Sequence, residues 1–395
     1  MNISAIDPLF DQISELPKST AFRYEQPNDL DSIKSARPDG PRKLETLSGA
    51  RMLDQLHGAW TGRACGCALG KPVEGVGMRG SNGMDGRQTI RAYLENRGHW
   101  PLDFYFSGAD VGDELSIHCP QSQRENIKFM EPDDDIHYTL IALHVLEKHG
   151  RDFSWKNIAD AWNNCLPYNA ICTAETQAIL NYNNAVPRSV LMGRESVAWV
   201  TSDYTSTHRN PYREWIGAQI RADGWGYACA GNPELAAEFA WRDAHWTHRA
   251  NGIYGEMMFA AIIASAFVVH DAKELISIGL SEIPRNCRLS EAVHAALDEI
   301  ARCNDFHSYM DWVQLHYGDL SPVHTVNNAL VIIGSMIYGQ MDFHKSICTS
   351  VEGAWDTDCN GATPGTHFKQ AMLKGNNLDK KVLPIGSSIG VSLDD

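Results

Sequence analysis

The sequence predicts an all-α protein whose helices form a single compact domain. Apolar residues recur three and four positions apart in several long segments, which is the spacing of a helix with one buried face. The alternating pattern of a half-buried strand is scarce. No period of roughly 20–50 residues repeats, so the helices are not expected to stack as a solenoid. A chain of 395 residues is long enough to bury a large core.

Several segments are predicted to be helical, and the rest are predicted to be connecting loops. Helices are expected at 53–70, 136–150, 155–165, 173–184, 233–249, 252–270, 288–302 and 325–340. Residues 1–46 are polar and interrupted by prolines, and we expect an N-terminal extension there, with the helical domain at 47–395. Residues 81–131 are expected to be rich in loops. The longest apolar run, Met257–Val269, is too short to span a bilayer and is predicted to be a buried helix.

The charge balance and the cysteine spacing exclude several classes of protein. The net charge is −15, from 34 basic and 49 acidic residues, which leaves no excess of basic side chains to neutralise nucleic-acid phosphates. The ten cysteines follow no zinc-binding spacing and are expected to be reduced. No signal peptide is evident, so we expect a cytoplasmic protein. The charge balance and the short apolar runs lead us to expect no nucleic-acid partner and no membrane partner.

Glycines recur at every fourth position of the first long helix. Gly58, Gly62, Gly66 and Gly70 lie on one face of it, and Glu74 continues the step. Glycine in a helix costs about 1 kcal/mol relative to alanine, so this face is expected to meet something at close range. Either a neighbouring helix or a ligand fits that requirement.

The segment Gly75–Gly80 matches the glycine pattern of dinucleotide-binding folds. In those folds a strand precedes the pattern and a helix follows it. Here a predicted helix precedes it, so we interpret the segment as a mobile loop that lines a pocket.

Two acidic segments lie far apart in the sequence. Asp133, Asp134 and Asp135 open the predicted helix at 136–150, and Asp356 and Asp358 lie two residues apart near the end of the chain. The dipole of a helix N-terminus favours one or two carboxylates but does not account for three adjacent ones, which repel unless a cation lies among them. Carboxylate oxygens are the ligands that Mg²⁺, Mn²⁺ and Ca²⁺ prefer. We therefore predict that the two segments meet around a metal.

The residues around Asp356 and Asp358 have an unusual composition. The segment Trp355–Gly365 is rich in glycine and contains Pro364, and we do not expect it to form an ordinary helix interior.

Four blocks of the sequence together resemble the ADP-ribosylglycohydrolase family, and this chain looks like a divergent branch of it. They are the glycine-stepped helix with Glu74, the run Asp133–Leu140, the segment Ile216–Arg221 followed by Thr247 and His248, and Asp356–Asn360. The resemblance implies an all-α fold with a binuclear metal centre. It further implies two divalent cations, with Mg²⁺ expected first and Mn²⁺ or Ca²⁺ as alternatives.

The resemblance also implies which residues bind the metals. Asp134, Asp135, Asp356 and Asp358 would be ligands. Asp133 stands where the family commonly has threonine, and could still offer oxygen. Cys359 stands where a hydroxyl usually reaches the metal, and a thiol is a poor ligand for a hard cation, so the second site could be weaker.

The catalytic and substrate-binding residues follow from the same resemblance. Glu74 or Asp135 would take the proton of the attacking water. Gly217 and Asn360 would bind substrate. His137 follows the aspartates closely in the sequence and could also face the pocket, unless it is a structural histidine. Arg221 would compensate the charge of a diphosphate, unless it forms a salt bridge with Asp223 or another carboxylate.

The resulting functional prediction is a metal-dependent hydrolase of a ribosyl bond. Its substrate would be an ADP-ribosylated protein or small molecule, from which it would release ADP-ribose. A hydrolase of nucleoside-like N-ribosides is one alternative, and a non-catalytic protein that binds metal or nucleotide is another. Isoprenoid synthases are disfavoured, since His137 and Tyr138 lie where their third aspartate would be needed.

Overall fold

All regular elements of the described chain are helices. The structure is a computed structural model, and it describes residues 7–17, 19–45, 47–108, 115–185 and 200–366. Within these ranges extended residues pair only in two isolated bridges, Ser81 with Met84 and Trp215 with His324. The predicted all-α class is confirmed. The last part of the predicted domain, 367–395, lies outside the described residues, as do 1–6 of the predicted extension.

The helices are numbered here in chain order, and short 3₁₀ segments connect some of them. The α-helices are α1 (Asp7–Glu15), α2 (Leu30–Ala36), α3 (Gly49–Gly70), α4 (Glu74–Arg79), α5 (Gly86–Glu95), α6 (Asp134–His149), α7 (Trp155–Cys165), α8 (Ala174–Ala185), α9 (Ser202–Thr207), α10 (Ala222–Ala228), α11 (Pro233–Ala244), α12 (Asn251–Ala266), α13 (Ala272–Leu280), α14 (Arg288–Ile300), α15 (Phe306–Tyr317), α16 (Thr325–Tyr338), α17 (Phe343–Glu352) and α18 (Thr357–Gly365). The 3₁₀ helices cover Lys71–Val73, Pro120–Ser122, Gly150–Asp152, Tyr168–Ala170 and Gln219–Arg221.

Helix α12 lies at the centre of the core. Every one of its residues is buried, and it packs against α10, α11 and α13. It is apolar around most of its circumference, which is the pattern of a helix with neighbours on every side. The buried helix predicted at 252–270 is therefore present, although it ends at Ala266. No helix in the described ranges is long and apolar enough to cross a membrane.

Helices α3 and α18 pack at backbone contact, and the glycine stripe makes this possible. A Cβ atom on Gly62 would lie 2.1 Å from the carbonyl oxygen of Gly365, and one on Gly70 would lie 1.9 Å from that of Thr357. The Thr357 hydroxyl donates a 2.8 Å hydrogen bond to the Gly70 carbonyl. Of the two explanations offered by the sequence, a neighbouring helix is the one that the structure contains.

Two predictions about local structure were wrong. The segment Trp355–Gly365 is mostly helical, since α18 begins at Thr357 and its glycines let α3 approach closely. Gly75–Gly80 is not a loop, because α4 runs through Glu74–Arg79 and its Gly77 packs against the Trp355 backbone. The described part of 81–131 is rich in loops, as predicted, and its one α-helix is α5, which begins with a capping box between Asp85 and Gln88.

The N-terminal extension packs on the helical body along much of its length. Ile33 of α2 is fully buried, and Tyr254 of α12 donates a hydrogen bond to the Pro27 carbonyl. Arg37 forms ion pairs with Glu234 and Glu282. These contacts anchor residues 23–45 to α11, α12 and the end of α13.

Candidate metal centre

The two acidic segments meet at one cavity of about 400 Å³. Six carboxylate side chains line it, from α4, from the start of α6 and from the start of α18: Glu74, Asp133, Asp134, Asp135, Asp356 and Asp358. The wall also contains Lys71, His137 and Gly217. A larger cavity, of about 810 Å³, lies between residues 98–104 and 344–352 and contains none of these carboxylates.

Two groups of side chains in or beside this cavity are close enough to share a metal ion. In each group the potential ligand atoms lie within 4.8 Å of one another. One group is formed by Glu74, Asp356 and Asp358 and offers only oxygen. The other is formed by Cys67, Asp133 and Asp135 and includes a sulfur. Hard divalent cations favour the first donor set, because thiols are poor ligands for them.

The upstream aspartates are positioned by the start of α6. Asp133 is the N-cap residue, and its Oδ1 atom accepts a 2.9 Å hydrogen bond from the Asp135 amide. Asp134 and Asp135 follow in the first helical turn. The dipole of α6 favours negative charge at the helix N-terminus and so offsets part of the free-energy cost of burying these carboxylates.

The downstream aspartates are positioned by the tight turn that leads into α18. Ala354 and Trp355 have left-handed backbone angles, φ 64° and 58°. The Asn328 side chain stabilises this turn, since its Oδ1 atom accepts hydrogen bonds from the Asn360 side chain, at 2.7 Å, and from the Asp356 amide, at 3.3 Å. Asn360 is thus part of the support of the turn and is fully buried. Its Oδ1 atom has no hydrogen-bond partner among the described residues.

Two basic side chains enter the acidic cluster. The Lys71 ammonium donates hydrogen bonds to Asp133 Oδ2 and, at 3.0 Å, to the Pro132 carbonyl. The fully buried Arg63 donates to Asp135 Oδ1 at 3.0 Å and to Asp223 Oδ2 at 2.6 Å. Both come from the glycine-stepped segment of the chain, one inside α3 and one directly after it.

The remaining negative charge shifts the pKa values of the carboxyl groups upward. The charge of Asp358, together with burial, raises the pKa of Glu74 to about 9. Burial and the charge of Asp133 raise the pKa of Asp134 to about 8. The pKa values of Asp356 and Asp358 are raised for the same reasons, burial first and neighbouring carboxylates second. Carboxylates in this arrangement either hold protons or require a cation.

The predicted substrate-binding residues lie in different places. His137 and Gly217 line the cavity. Arg221 is buried outside it and forms ion pairs with Glu175, at 2.6 Å, and with Asp243, at 2.9 Å. The alternative interpretation of Arg221, a structural salt bridge, matches this position, although the carboxylate is not that of Asp223.

Cys359 is fully buried next to the cluster but belongs to neither group of potential ligands. Burial raises the pKa of its thiol well above the ordinary value, which keeps the sulfur protonated. Its amide, rather than its side chain, contacts the site, by a 3.0 Å hydrogen bond to Asp358 Oδ1.

Three contributors to the site were missed by the sequence-based reasoning: Cys67, Lys71 and Arg63. The glycine stripe carried a signal for Lys71, which directly follows Gly70 and is three residues before Glu74. No comparable signal pointed to Cys67 or Arg63, which lie inside α3 and meet their partners only through the tertiary fold.

Fold and site together define a helical protein that gathers carboxylates from three chain segments around one cavity. Residues 48–367 match the family model described as ADP-ribosylglycohydrolase. Since the match covers most of the chain, the protein belongs to the ADP-ribosylglycohydrolase family, as predicted. Its membership suggests a glycosyl hydrolase, and the family generally uses divalent metals and acts on ADP-ribosylated substrates.

A solved structure titled "ADP-ribosylglycohydrolase-related protein complex" aligns at 18% identity over 84% of this chain and 95% of that chain, with a TM-score of 0.49. No curated protein matches the chain.

Proposed function

We propose that the protein is a metal-dependent glycohydrolase that cleaves an N- or O-ribosidic bond and releases ADP-ribose from an ADP-ribosylated protein or small molecule. The observation that carries this proposal is the convergence of six carboxylates on one cavity. Family membership supplies the class of substrate. The location of the protein in the cytoplasm remains part of the proposal.

The residues of the cavity fit a divalent cation. Glu74, Asp356 and Asp358 form an oxygen-only donor set of the kind Mg²⁺ or Mn²⁺ accepts. Asp134 lines the same cavity and forms no ion pair with a described residue, so it is available as a further ligand. The group around Cys67 fits a second cation less well, since it offers a thiol and its two carboxylates are already in ion pairs. A bound divalent cation supplies polarisation of sugar hydroxyls and of a water molecule.

Glu74 is the better candidate for the residue that takes a proton from the attacking water. It lies at the exit of the glycine-stepped segment and forms no ion pair with a described residue. Asp135, by contrast, shares its Oδ1 atom and its backbone carbonyl with the Arg63 guanidinium. The Asp135 carboxylate is thus tied to a buried guanidinium, whereas the Glu74 carboxylate lines the cavity without such a partner among the described residues.

Substrate binding is assigned to the side of the cavity that is not acidic. His137, Trp215 and Gly217 line the cavity together with the carboxylates. Gly217 packs against a carboxylate, since a Cβ atom at this position would lie 2.5 Å from Glu175 Oε1. Arg221 is fully buried and does not reach a diphosphate in the cavity. Among the described residues that line the cavity, Lys71 is the one lysine or arginine that could contact such a group.

A nucleoside-like substrate is the second candidate. The cavity volume of about 400 Å³ is near the lower end of the range of ligand pockets, roughly 300–1,000 Å³, which favours a compact ligand. Such an enzyme would use the same cluster of carboxylates. It would differ in the residues of the outer pocket that contact the rest of the substrate.

The function is tested with a panel of substrates with and without Mg²⁺: ADP-ribosyl-arginine, ADP-ribosyl-serine, O-acetyl-ADP-ribose and a set of nucleosides. Release of ADP-ribose supports the proposal, and release of a free base supports the second candidate. ADP-ribose binding without turnover would show a non-catalytic protein and overturn both.

Variants locate the activity in this cavity. Glu74→Gln should lower kcat by at least about 100-fold, as expected for a lost general base. Glu95→Gln, on the exposed face of α5, is the matched control and should leave kcat unchanged. Equal activity in both variants would contradict the role of Glu74.

A further inference from the structure

The two groups of potential metal ligands differ in how their charges are balanced. Glu74, Asp356 and Asp358 form no ion pair with any described residue. In the other group, Asp133 pairs with Lys71 and Asp135 pairs with Arg63. One group therefore lacks positive charge, and the other already contains it.

Both oxygens of the Asp133 carboxylate already accept a hydrogen bond, and one of these bonds comes from Lys71. Its ammonium is bonded to Asp133 Oδ2, while Oδ1 of the same carboxylate accepts the Asp135 amide. The contact is shielded from water, since the side chains of Lys71 and Asp133 are 13% and 2% exposed. A second hydrogen bond, to the Pro132 carbonyl, fixes the position of the ammonium. A metal ion bound to Asp133 would therefore lie directly beside this ammonium, in a site that is shielded from water.

Arg63 has a comparable effect on Asp135. Its guanidinium donates to Asp135 Oδ1 and to the backbone carbonyls of Asp135 and Ile220, and it is held from the opposite side by Asp223. It is fully buried, so a cation bound to Asp135 would lie next to this guanidinium. The third member of the group, Cys67, offers a thiol, which is unsuited to a hard cation.

We propose that the centre binds one divalent cation, in the Glu74–Asp356–Asp358 group, and that the Lys71 ammonium takes the place of a second cation beside Asp133. This inference rests on the proposed function and deepens it. It replaces the two exchangeable cations implied by the resemblance with one exchangeable cation and one built-in positive charge.

The physical basis is the mutual repulsion of positive charges in a site that is shielded from solvent. A divalent cation among Cys67, Asp133 and Asp135 would lie next to both an ammonium and a guanidinium. In the Glu74–Asp356–Asp358 group the cation meets three carboxylates, none of which forms an ion pair with a basic side chain of the described residues. The first arrangement places a cation beside two basic side chains that already pair with the carboxylates, whereas the second places it among carboxylates that have no ion pair.

The number of bound cations is measured with Mn²⁺ on the full chain. Equilibrium dialysis gives the stoichiometry, and electron paramagnetic resonance distinguishes an isolated Mn²⁺ ion from a spin-coupled pair. We expect one Mn²⁺ per chain, with the six-line spectrum of an isolated ion. Asp358→Asn should weaken its binding by at least tenfold.

Removal of the ammonium tests its role directly. In Lys71→Met, Asp133 loses its partner, and we expect a second Mn²⁺ to bind, with the spectrum of a coupled pair. Lys345→Met is the matched control, since Lys345 is an exposed lysine at the other cavity, and it should retain one ion per chain. Circular dichroism checks that both variants fold.

The outcomes separate this inference from the proposed function. Two tightly bound, coupled Mn²⁺ ions in the unmodified protein would overturn the inference and leave metal-dependent hydrolysis intact. If the protein binds no Mn²⁺ at concentrations up to millimolar, both the inference and the proposed metal-dependent hydrolysis are overturned. If Lys71→Met does not fold, the stoichiometry of the unmodified protein and of Asp358→Asn still decides the question.

Discussion

Gly66 of α3 lies in backbone contact with Gly361 of α18. A Cβ atom on Gly66 would be 2.1 Å from the Gly361 carbonyl oxygen, and a Cβ atom on Gly361 would be 2.4 Å from that of Gly66. This contact determines where the downstream aspartates lie, because Asp358 is less than one turn from Gly361 on the same helix. The glycine stripe thus holds one half of the acidic cluster in place.

Substitution in this contact should destabilise the protein. Gly66→Ala places a methyl group against backbone atoms that cannot rotate away, and overpacking of this kind typically costs about 1–3 kcal/mol. Denaturant unfolding measures the loss. Gly75→Ala is the control, because its Cβ atom would meet only the ring of His118, at 3.3 Å, and the loss should be smaller. Equal stability of Gly66→Ala and the unmodified protein would contradict the helix contact.

The free energy of unfolding of the metal-free protein should fall as the pH rises from 7 to 9. In the folded state the pKa of Asp134 is about 8 and that of Glu74 about 9, whereas both groups ionise near pH 4 when unfolded. The folded state therefore holds protons that the unfolded state has released, and its advantage is lost as the pH passes through these values. We expect a loss of at least about 1 kcal/mol in EDTA.

A divalent cation should reverse this loss. At 100 times its dissociation constant a ligand adds about 2.7 kcal/mol of stability, and at pH 9 it competes with fewer protons than at pH 7. Denaturant unfolding at pH 7, 8 and 9, with EDTA or with Mg²⁺, measures both effects. Asp358→Asn serves as the control, since it removes the charge that contributes most to the raised pKa of Glu74, and its metal-free stability should depend less on pH. A metal-free protein that gains stability over this range would argue against the cluster.

Helical periodicity was sufficient to predict the fold class and the central helix. The meeting of the two acidic segments was predicted on different grounds, from the repulsion of adjacent carboxylates that no cation separates. Periodicity failed where packing overrides composition. Helix α18 contains glycines and Pro364, which disfavour a helix in isolation, yet the close approach of α3 requires small residues there. The role of Arg63 was not predictable for a different reason, since it depends on Asp135 and Asp223, which only the tertiary fold brings together.

Arg221 is expected to contribute to stability and not to substrate affinity. It is buried between Glu175 and Asp243, and its guanidinium also lies over the Trp162 ring at 5.0 Å. Removing one partner of a buried ion pair leaves the other charge uncompensated and costs roughly 3–5 kcal/mol. Arg221→Met should therefore unfold at a much lower denaturant concentration.

Two measurements separate this expectation from a role in binding. Arg302→Met, at a side chain that is 72% exposed, should change the stability by less than about 0.5 kcal/mol. In Arg221→Lys, assayed at a temperature where it remains folded, the KM for the ADP-ribosylated substrate should be unchanged. A raised KM without a loss of stability would restore the diphosphate-binding role expected from the sequence.

Replacement of Cys359 should leave the affinity for the divalent cation unchanged within about twofold. The thiol is fully buried and belongs to neither group of potential ligands, and burial raises its pKa well above the ordinary value, so it does not supply a thiolate. In Cys359→Ser a hydroxyl takes its place, and burying it without a partner costs about 1–3 kcal/mol of stability. Isothermal titration with Mg²⁺ and Mn²⁺ measures the affinity, with Asp358→Asn as the variant that should lose it. A gain in Mg²⁺ affinity of tenfold or more in Cys359→Ser would mean that the side chain at this position reaches the metal, because a hydroxyl is the better ligand for a hard cation.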